Sequence, residues 1–430
     1  MRLGMFHARS REYTVALAML TALLVLSILL FPERAFQASL GGLTVWWNIV
    51  FPSLLPFLML SELLGGFGAV RAIGTLLEPL TRLLFRIPGC GGWAIALGAI
   101  AGLPAGAEAA GKLRRDNLVS REEGERIVAL SHVASPFFIL TVIGAGFMHS
   151  VETGVIIAIV HYSSALAMGL LLRPLGSRPP THPSDGTGAK TPSRTGNKPK
   201  SVFVRALTDM HRARLEDGRS LGKLLGDSVT GAIQTLMMIG GTMIVFSVLL
   251  GVLDTIGIGP LLARLASVLA PEAAAPLDTV RSLLSGMLEL HIGTNRLSHL
   301  AAPGAVTTAL IGAALAWSGL AVHLQVKTAI RHTDLRYRRF LLSRTIHAGI
   351  AVVMTFALYR PLSTWMQKAE PSFLGGYANG SSGAEAPFLS AWSSWSAIPE
   401  RFAGLGIGLA AVMLLSLLIS LWFRPGRTAR

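Results

Sequence analysis

The sequence predicts an all-α integral membrane protein with about eight transmembrane helices and two re-entrant hairpins, arranged as two inverted repeats. Mean hydropathy is +0.55 and only 14% of residues are charged, where a soluble domain carries about 25%. Apolar runs recur at the length a bilayer demands, roughly 17–25 residues. Two further apolar stretches are interrupted: Gly98–Ala110 (GAIAGLPAGAEAA) by Gly102, Pro104, Gly106 and the single carboxylate Glu108, and Leu284–Ser298 by Glu289, His291, Thr294, Asn295 and Arg296. Polar groups inside lipid are costly and must all be satisfied, so such clusters mark function more often than decoration.

The net charge is +15. In a soluble chain that balance would invite a nucleic-acid reading. Here the basic residues collect in loops, as the positive-inside rule expects, and no nucleic-acid partner is implied. One cysteine, Cys90, excludes an intrachain disulfide and a thiolate cluster.

Taken in order, Thr14–Phe31 reads as an uncleaved first span, with no small-residue cleavage site in the following FPERAF. Residues 1–40 form an N-terminal anchor. Gly41–Gly66 is the second span, with Trp46 and Trp47 as interfacial anchors and a bend expected at Pro52 and Pro56. Val70–Arg86 sets Arg71, Glu78, Arg82 and Arg86 among leucines at helical spacing, the pattern of a helix lying in the membrane interface. Trp93–Leu113, rich in glycine and flanked by charge at both ends, fits a hairpin that enters and leaves on one side. Ile127–Met148 and Val151–Leu172 are two further spans, completing a first repeat over 41–172.

Residues 173–223 hold eleven Lys/Arg against four Asp/Glu, with Pro179, Pro180, Pro183, Pro192 and Pro199 among many Ser, Thr and Gly. This composition predicts a basic cytoplasmic linker, disordered through about Ser201. A second repeat over 224–360 follows: the span Val229–Leu253, an interfacial helix Pro260–Leu269, the interrupted stretch Thr279–Leu300, the span Ala305–Val326, a basic cytoplasmic loop Arg331–Arg344 and the span Thr345–Tyr359. Residues 361–430 are read as an outer loop to Glu400, a last span Gly404–Phe423 and a cytoplasmic tail bearing Arg424, Arg427 and Arg430. Both termini are thus placed in the cytoplasm.

A shift of 187 positions sets Gly106 on Gly293, Pro104 on His291, Glu108 on Asn295, Ser131 on Ser318 and Pro136 on His323. Leu63-Leu64-Gly65 meets Leu249-Leu250-Gly251 at a shift of 186. Counting spans from a cytoplasmic N-terminus, the first hairpin enters from the cytoplasm and the second from outside. Inverted repeats with paired interrupted segments point to a secondary-transporter site near the bilayer midplane.

The stretches GLPAGAEAAGKL, GERIVALSHVASPFFILTVIGAGF, LELHIGTNRLS and SGLAVHLQV resemble the paired nucleoside-recognition ("Gate") segments of the YlbJ-type sporulation integral membrane proteins. FPSLLPFLMLSELL is similar to that family's entry to its first repeat. The resemblance covers roughly residues 40–173 and 225–360. It implies a sporulation membrane protein associated with spore-cortex formation and with movement of dipicolinate into the forespore, located in the bacterial cell membrane and specifically the outer forespore membrane. It also implies Gate segments similar to those of concentrative nucleoside transporters and the ferrous-iron transporter membrane domain. Carried over by position, the implied substrate-binding residues are Gly102, Pro104 and Gly106; Ser131, Ser135 and Pro136; Glu289, Gly293, Thr294 and Asn295; and His323 and Gln325. His132 stands where the family tends to carry Asn, Leu103 where an aromatic is common, and His291 where a small polar residue is usual.

Glu108 and His291 join the list because each puts an ionisable group in an interrupted stretch. The bland reading of Glu289 is a structural pairing with Arg296 or His291, or a cap on the hairpin turn. A metal site at Glu289, His291 and His323 lacks ligand spacing. Ser131 and His132 are helix neighbours that face different ways, so no nucleophile–base pair is read and no enzyme activity is expected. GAEAAGKL (Gly106–Leu113) misses a phosphate-binding loop, since Leu113 stands where Ser or Thr is required and no strand precedes it. The expectation is a transporter for a small anionic or nucleoside-like solute, with no cofactor beyond a coupling Na+ or H+. Its partners are the solute and the bilayer, with homo-oligomerisation or sporulation membrane partners left open. The alternative is a non-transporting scaffold for spore-envelope assembly.

Overall fold

The computed structural model describes residues 11–173, 201–269, 276–302 and 304–368. All regular elements among them are helical. The expected outer loop beyond residue 368, the last span Gly404–Phe423, the tail arginines and the linker prolines lie outside the described residues.

The helices are α1 (Arg11–Leu30), α2 (Pro32–Val45), a π-helical turn Trp46–Val50, α3 (Phe51–Gly66), α4 (Ala69–Phe85), α5 (Gly89–Ala101), α6 (Ala105–Arg115), α7 (Arg121–Ser131), a π-helical segment Phe138–Phe147, and α8 (Val151–Leu172). After the linker come α9 (Val202–Asp217), α10 (Leu221–Thr255), α11 (Ile258–Leu269), α12 (Leu277–Leu288), α13 (Leu290–Ser298), α14 (Gly304–Trp317), α15 (Gly319–Ala329) and α16 (Tyr337–Lys368). Among the described residues, five helices are long and apolar enough to cross a membrane: Pro32–Gly66, Val151–Leu172, Leu221–Thr255, Gly304–Ala329 and Tyr337–Met366.

The element order repeats. A 35-residue helix, Pro32–Gly66 or Leu221–Thr255, leads through a left-handed glycine, Gly68 (φ 79°) or Gly257 (φ 81°), into α4 or α11. A broken hairpin follows, α5–α6 or α12–α13, then a broken helix and a final long helix, α8 or α16. The contacts are reciprocal as well. α6 packs on α15 as α13 packs on the Phe138–Phe147 segment, and α7 packs on α16 as α14 packs on α8.

The two 35-residue helices lie antiparallel. Gly42 faces Ser247, Gly240 faces Trp46 and Gly66 faces Leu224, each too closely for a Cβ to be added without displacement. Trp46 is buried and its indole N–H donates to the carbonyl of Leu236, 2.9 Å away. That finding corrects the expected interfacial role of Trp46: it stands mid-helix in the contact, while Trp47 is 59% exposed. Where a bend was expected, Pro52 and Pro56 stand within a continuous helix and are preceded by the π-helical turn. Its extra residue per hydrogen-bonded ring accommodates Pro52, which stands in the first turn of α3.

Other elements differ from the expectation. α4 meets α5 at 106°, so the amphipathic helix lies across the hairpin's entry. Ile127–Met148 is not one span: α7 ends at Ser131, and residues 132–135 leave the helix before the Phe138–Phe147 segment. Part of the expected linker is α9, which packs on α4 through Arg205–Glu78 at 2.7 Å and Thr75–Asp209 at 2.8 Å. The basic stretch Arg331–Arg344 is a loop only to Arg336. Its remainder is the first two turns of α16, and Arg344 is fully buried.

The 331–336 loop is clamped to the first hairpin side by Arg114–Asp334 at 2.8 Å and by Arg336–Glu125 at 2.7 Å. Hydrogen bonding from Arg114 holds the Asp334 carboxyl below the usual carboxylate range. Such a clamp stabilises above the unfolded-state pKa and is lost as pH falls through the lowered folded value. Overpacking the central crossing costs more. Gly240→Leu, which must displace the Trp46 ring, is expected to cost about 1–3 kcal/mol and to lower the thermal unfolding midpoint in detergent, where Gly241→Ala, with open space around its Cβ position, leaves it unchanged.

Candidate functional site

The hairpin arms have 13, 11, 12 and 9 residues, roughly 14–20 Å each at 1.5 Å per residue. Each arm therefore reaches only partway through a hydrocarbon core of about 30 Å. Both hairpins end on a broken helix. In the first half, Gly102 (φ 78°) terminates α5 and Pro104 opens α6. Gly102 sits against Ser135, and Gly98 and Gly106 close on the Ser131 carbonyl with no room for a side chain. In the second half, the break is one extended residue, Glu289 (φ −139°, ψ 126°). It abuts the second break at Ser318 (φ 77°) and Gly319 (φ 75°), where a Cβ on Gly319 would stand 3.0 Å from the Leu290 nitrogen. The first break takes three residues and the second takes one, so the constant sequence shift slips by two inside the hairpin.

Broken helices leave carbonyls and N–H groups without helical partners. Here side chains supply them. The Arg344 guanidinium, from α16, donates to the last carbonyls of α7, reaching Ala129 at 2.5 Å and His132 at 2.7 Å. The Ala134 N–H donates to His161 Nε2 at 3.2 Å, and Tyr162 donates to the Ala134 carbonyl at 2.7 Å, both from α8. His347 Nδ1 faces Arg344 at 3.2 Å, while its Nε2 meets Ser164 Oγ at 3.0 Å and the His161 carbonyl at 3.2 Å. In the second half, His323 Nε2 caps the Trp317 carbonyl at 2.8 Å and Nδ1 meets the Tyr337 hydroxyl at 2.8 Å.

Glu289 is 2% exposed. Its Oε2 accepts the Ile292 N–H at 2.7 Å, capping α13, and its Oε1 meets His291 Nδ1 at 2.7 Å. A carboxylate at a helix N-terminus satisfies an orphan donor and complements the dipole. Arg296 does not pair with it; that guanidinium goes to Ser285 at 2.9 Å and toward Asp254 at 3.9 Å. The His291 ring lies edge-on to Phe138, centroids 5.0 Å apart.

The residues named from sequence therefore fall into groups. Gly102, Pro104, Gly106, Ser131, Ser135 and Pro136 gather at the first crossing. Ser131 is buried, with a hydroxyl that has no protein partner, and Ser135 caps the next segment by accepting the Phe138 N–H at 3.2 Å. Glu289, His291 and Gly293 gather at the second, where Gly293 lies directly on Gly286 of the other arm. Thr294 is buried but returns its hydroxyl to the Leu290 carbonyl at 2.8 Å. Asn295 and Gln325 are half-buried, and Glu108 is exposed. His323 is engaged at both ring nitrogens.

Arg344, His347, His161, Tyr162 and Ser164 were not singled out from the sequence. A signal existed: Phe340, Ser343, Arg344, His347, Ala351 and Thr355 form one buried stripe at helical spacing. His132, singled out only as a departure from the family pattern, is 1% exposed with neither ring nitrogen partnered. It lies edge-on to Phe340 at 4.8 Å, between the halves.

Fold and site together define a polytopic, all-helical membrane protein with two broken hairpins crossed on two broken helices. No family model matches the chain, and no solved structure matches it. The sporulation integral membrane protein YlbJ of Bacillus subtilis (strain 168) is 36% identical over 355 residues, covering 83% of this chain and 85% of that protein. The chain belongs to this family of sporulation integral membrane proteins.

Removing the buried cap should be severe. Arg344→Met leaves two buried carbonyls without donors, at about 1–3 kcal/mol each. We expect a large drop in folded yield and unfolding midpoint in detergent, partly restored by Arg344→Lys.

Proposed function

We propose that this protein is a sporulation-associated transporter that moves a small anionic or nucleoside-like solute by alternating access, dipicolinate being favoured by the family resemblance. The observation that carries the reading is the pair of crossings, each made of a short-armed hairpin whose tip meets the break in another helix. Backbone that leaves the helix inside a membrane protein is tolerated where it lines a binding cavity, and transporters of several folds bind solute at such interruptions.

Opposed hairpin mouths support an inverted repeat. At one end of the α3–α10 pair, Arg219 reaches Glu62 at 3.4 Å, and α4, α9 and the entrance to the first hairpin lie on that side. At the other end, Arg34 reaches Thr255 at 3.2 Å, and Arg281 and Arg296, from the arms of the second hairpin, turn to Asp254. The first face holds Arg114, Arg115, Arg336 and Arg339, which supports a cytoplasmic placement and, with it, cytoplasmic termini. An outer forespore membrane location follows from the resemblance.

The test is uptake of labelled dipicolinate into proteoliposomes, competed by nucleosides and by other dicarboxylates. Saturable, dicarboxylate-selective uptake is expected, reduced at least tenfold by Glu289→Ala and by Asn295→Ala in folded protein. Uptake that survives both substitutions would place the solute elsewhere, and saturable uptake of nucleoside alone would replace the anion with a nucleoside. Absence of any uptake would leave the scaffold reading in place of transport.

A further inference from the structure

The nearly buried carboxylates among the described residues are held in two ways. Glu78 lies between Arg82 and Arg205, each at 2.7 Å. Glu125 is held by Arg336 at 2.7 Å, with Arg121 and Arg339 at 3.5 and 4.0 Å. Arginine keeps its proton at any ordinary pH, so these carboxylates have permanent counter-charges. Glu289 has none. Its side-chain partner is His291, the one residue type whose ordinary charge change falls near neutral pH.

The pair also occupies a mechanical position. Glu289 is the break between α12 and α13, pressed by Gly319 of the other broken helix, and the His291 ring faces Phe138 of the first half. We propose that the Glu289–His291 pair is the proton-binding element that couples solute movement to a proton gradient. This inference rests on the transport reading above.

With Nδ1–H donated to the Glu289 carboxylate, a neutral His291 keeps Nε2 as a proton acceptor. A proton taken up there from one aqueous side gives an imidazolium–carboxylate pair of zero net charge. Release to the other side restores a single negative charge. The pair therefore changes charge by one unit where the two halves meet, which alters what an adjacent solute encounters and how strongly the cap holds α13.

The surroundings do not supply a fixed charge that would lock either state. Phe138–Phe147 and α14 carry no ionisable residue. α15 presents His323, engaged at both nitrogens, and beyond it Lys327. α12 carries Asp278 and Arg281, α10 carries Asp254, and α13 carries Arg296 and His299 further along. Arg281 and Arg296 both turn to Asp254, at 3.3 and 3.9 Å, and His299 Nδ1 turns to the Asn295 carbonyl. α11 contributes Arg264.

The experiment uses the full chain in proteoliposomes, with labelled dipicolinate and a labelled nucleoside as probes and the membrane potential clamped at zero. Uptake should rise several-fold with an imposed pH gradient, collapse with a protonophore and ignore a sodium gradient. Glu289→Gln, which keeps an oxygen to cap α13, should lose the response to the gradient. Uptake that ignores the pH gradient, or that follows sodium alone, overturns the coupling and leaves the transport reading standing. No uptake of either probe under any gradient overturns transport and the coupling with it. Should Glu289→Gln fail to fold, nitrogen NMR of histidine-labelled wild-type protein decides: a His291 ring that gains no proton over roughly pH 5–8.5 excludes the pair as the carrier, and one that titrates in that window upholds it.

Discussion

Everything in this fold depends on satisfying backbone groups that the breaks in the helices release. In hydrocarbon no water is available to take them, and an unpartnered peptide group there costs several kcal/mol. Among the described residues, the two hairpin tips and the two broken helices release such groups, and each is answered by a named group. Gly102 and Pro104 fold the first tip on its own backbone, with the Ala105 N–H bonded to the Gly102 carbonyl. Arg344, His161 and Tyr162 close the gap at residues 132–135. Glu289 caps α13, and His323 takes the last carbonyl of α14.

The two halves solve the problem differently, and the difference ties them together. The first broken helix is completed by side chains from α8 and from α16, so its geometry depends on the other half being in place. The second is completed from within its own half, by Glu289, His323 and Tyr337. Arg344 is therefore more than a cap. It is a cation seated on the negative end of α7, with Phe340 beneath it at 5.5 Å, and it fixes α16 to α7. It thereby ties the last helix of the second half to the broken helix of the first.

Much of this was legible in the sequence. Glycine and proline in Gly98–Ala110 and the charge in Leu284–Ser298 marked both hairpins, because only breaks or binding sites retain such residues in an apolar run. The amphipathic pattern of Val70–Arg86 marked a helix that does not cross. The breaks at residues 132–135 and at Ser318 were not read, although Pro136 directly after HVAS and Gly319 directly after Ser318 were local signals; what the sequence did not show was which distant partners take the released groups. Arg344 was misplaced for a related reason. Its neighbours Arg336, Arg338 and Arg339 read as a loop, and only the stripe through Phe340, His347 and Ala351 separates the buried arginine from the exposed ones.

The asymmetry of the hairpin tips has a chemical consequence. Both α6 and α13 begin at the crossings, so both offer the positive end of a helix to the centre. At α13 that end is already occupied by the Glu289 carboxylate. At α6 it is not, because Pro104 brings no acceptor side chain and the nearest carboxylate, Glu108, is exposed. At the first tip the backbone takes up its own N–H groups, Ala105 on the Gly102 carbonyl and Ala107 and Glu108 on that of Pro104. One tip is therefore closed by a side-chain carboxylate and the other by backbone, so a single substitution can uncap the second but not the first.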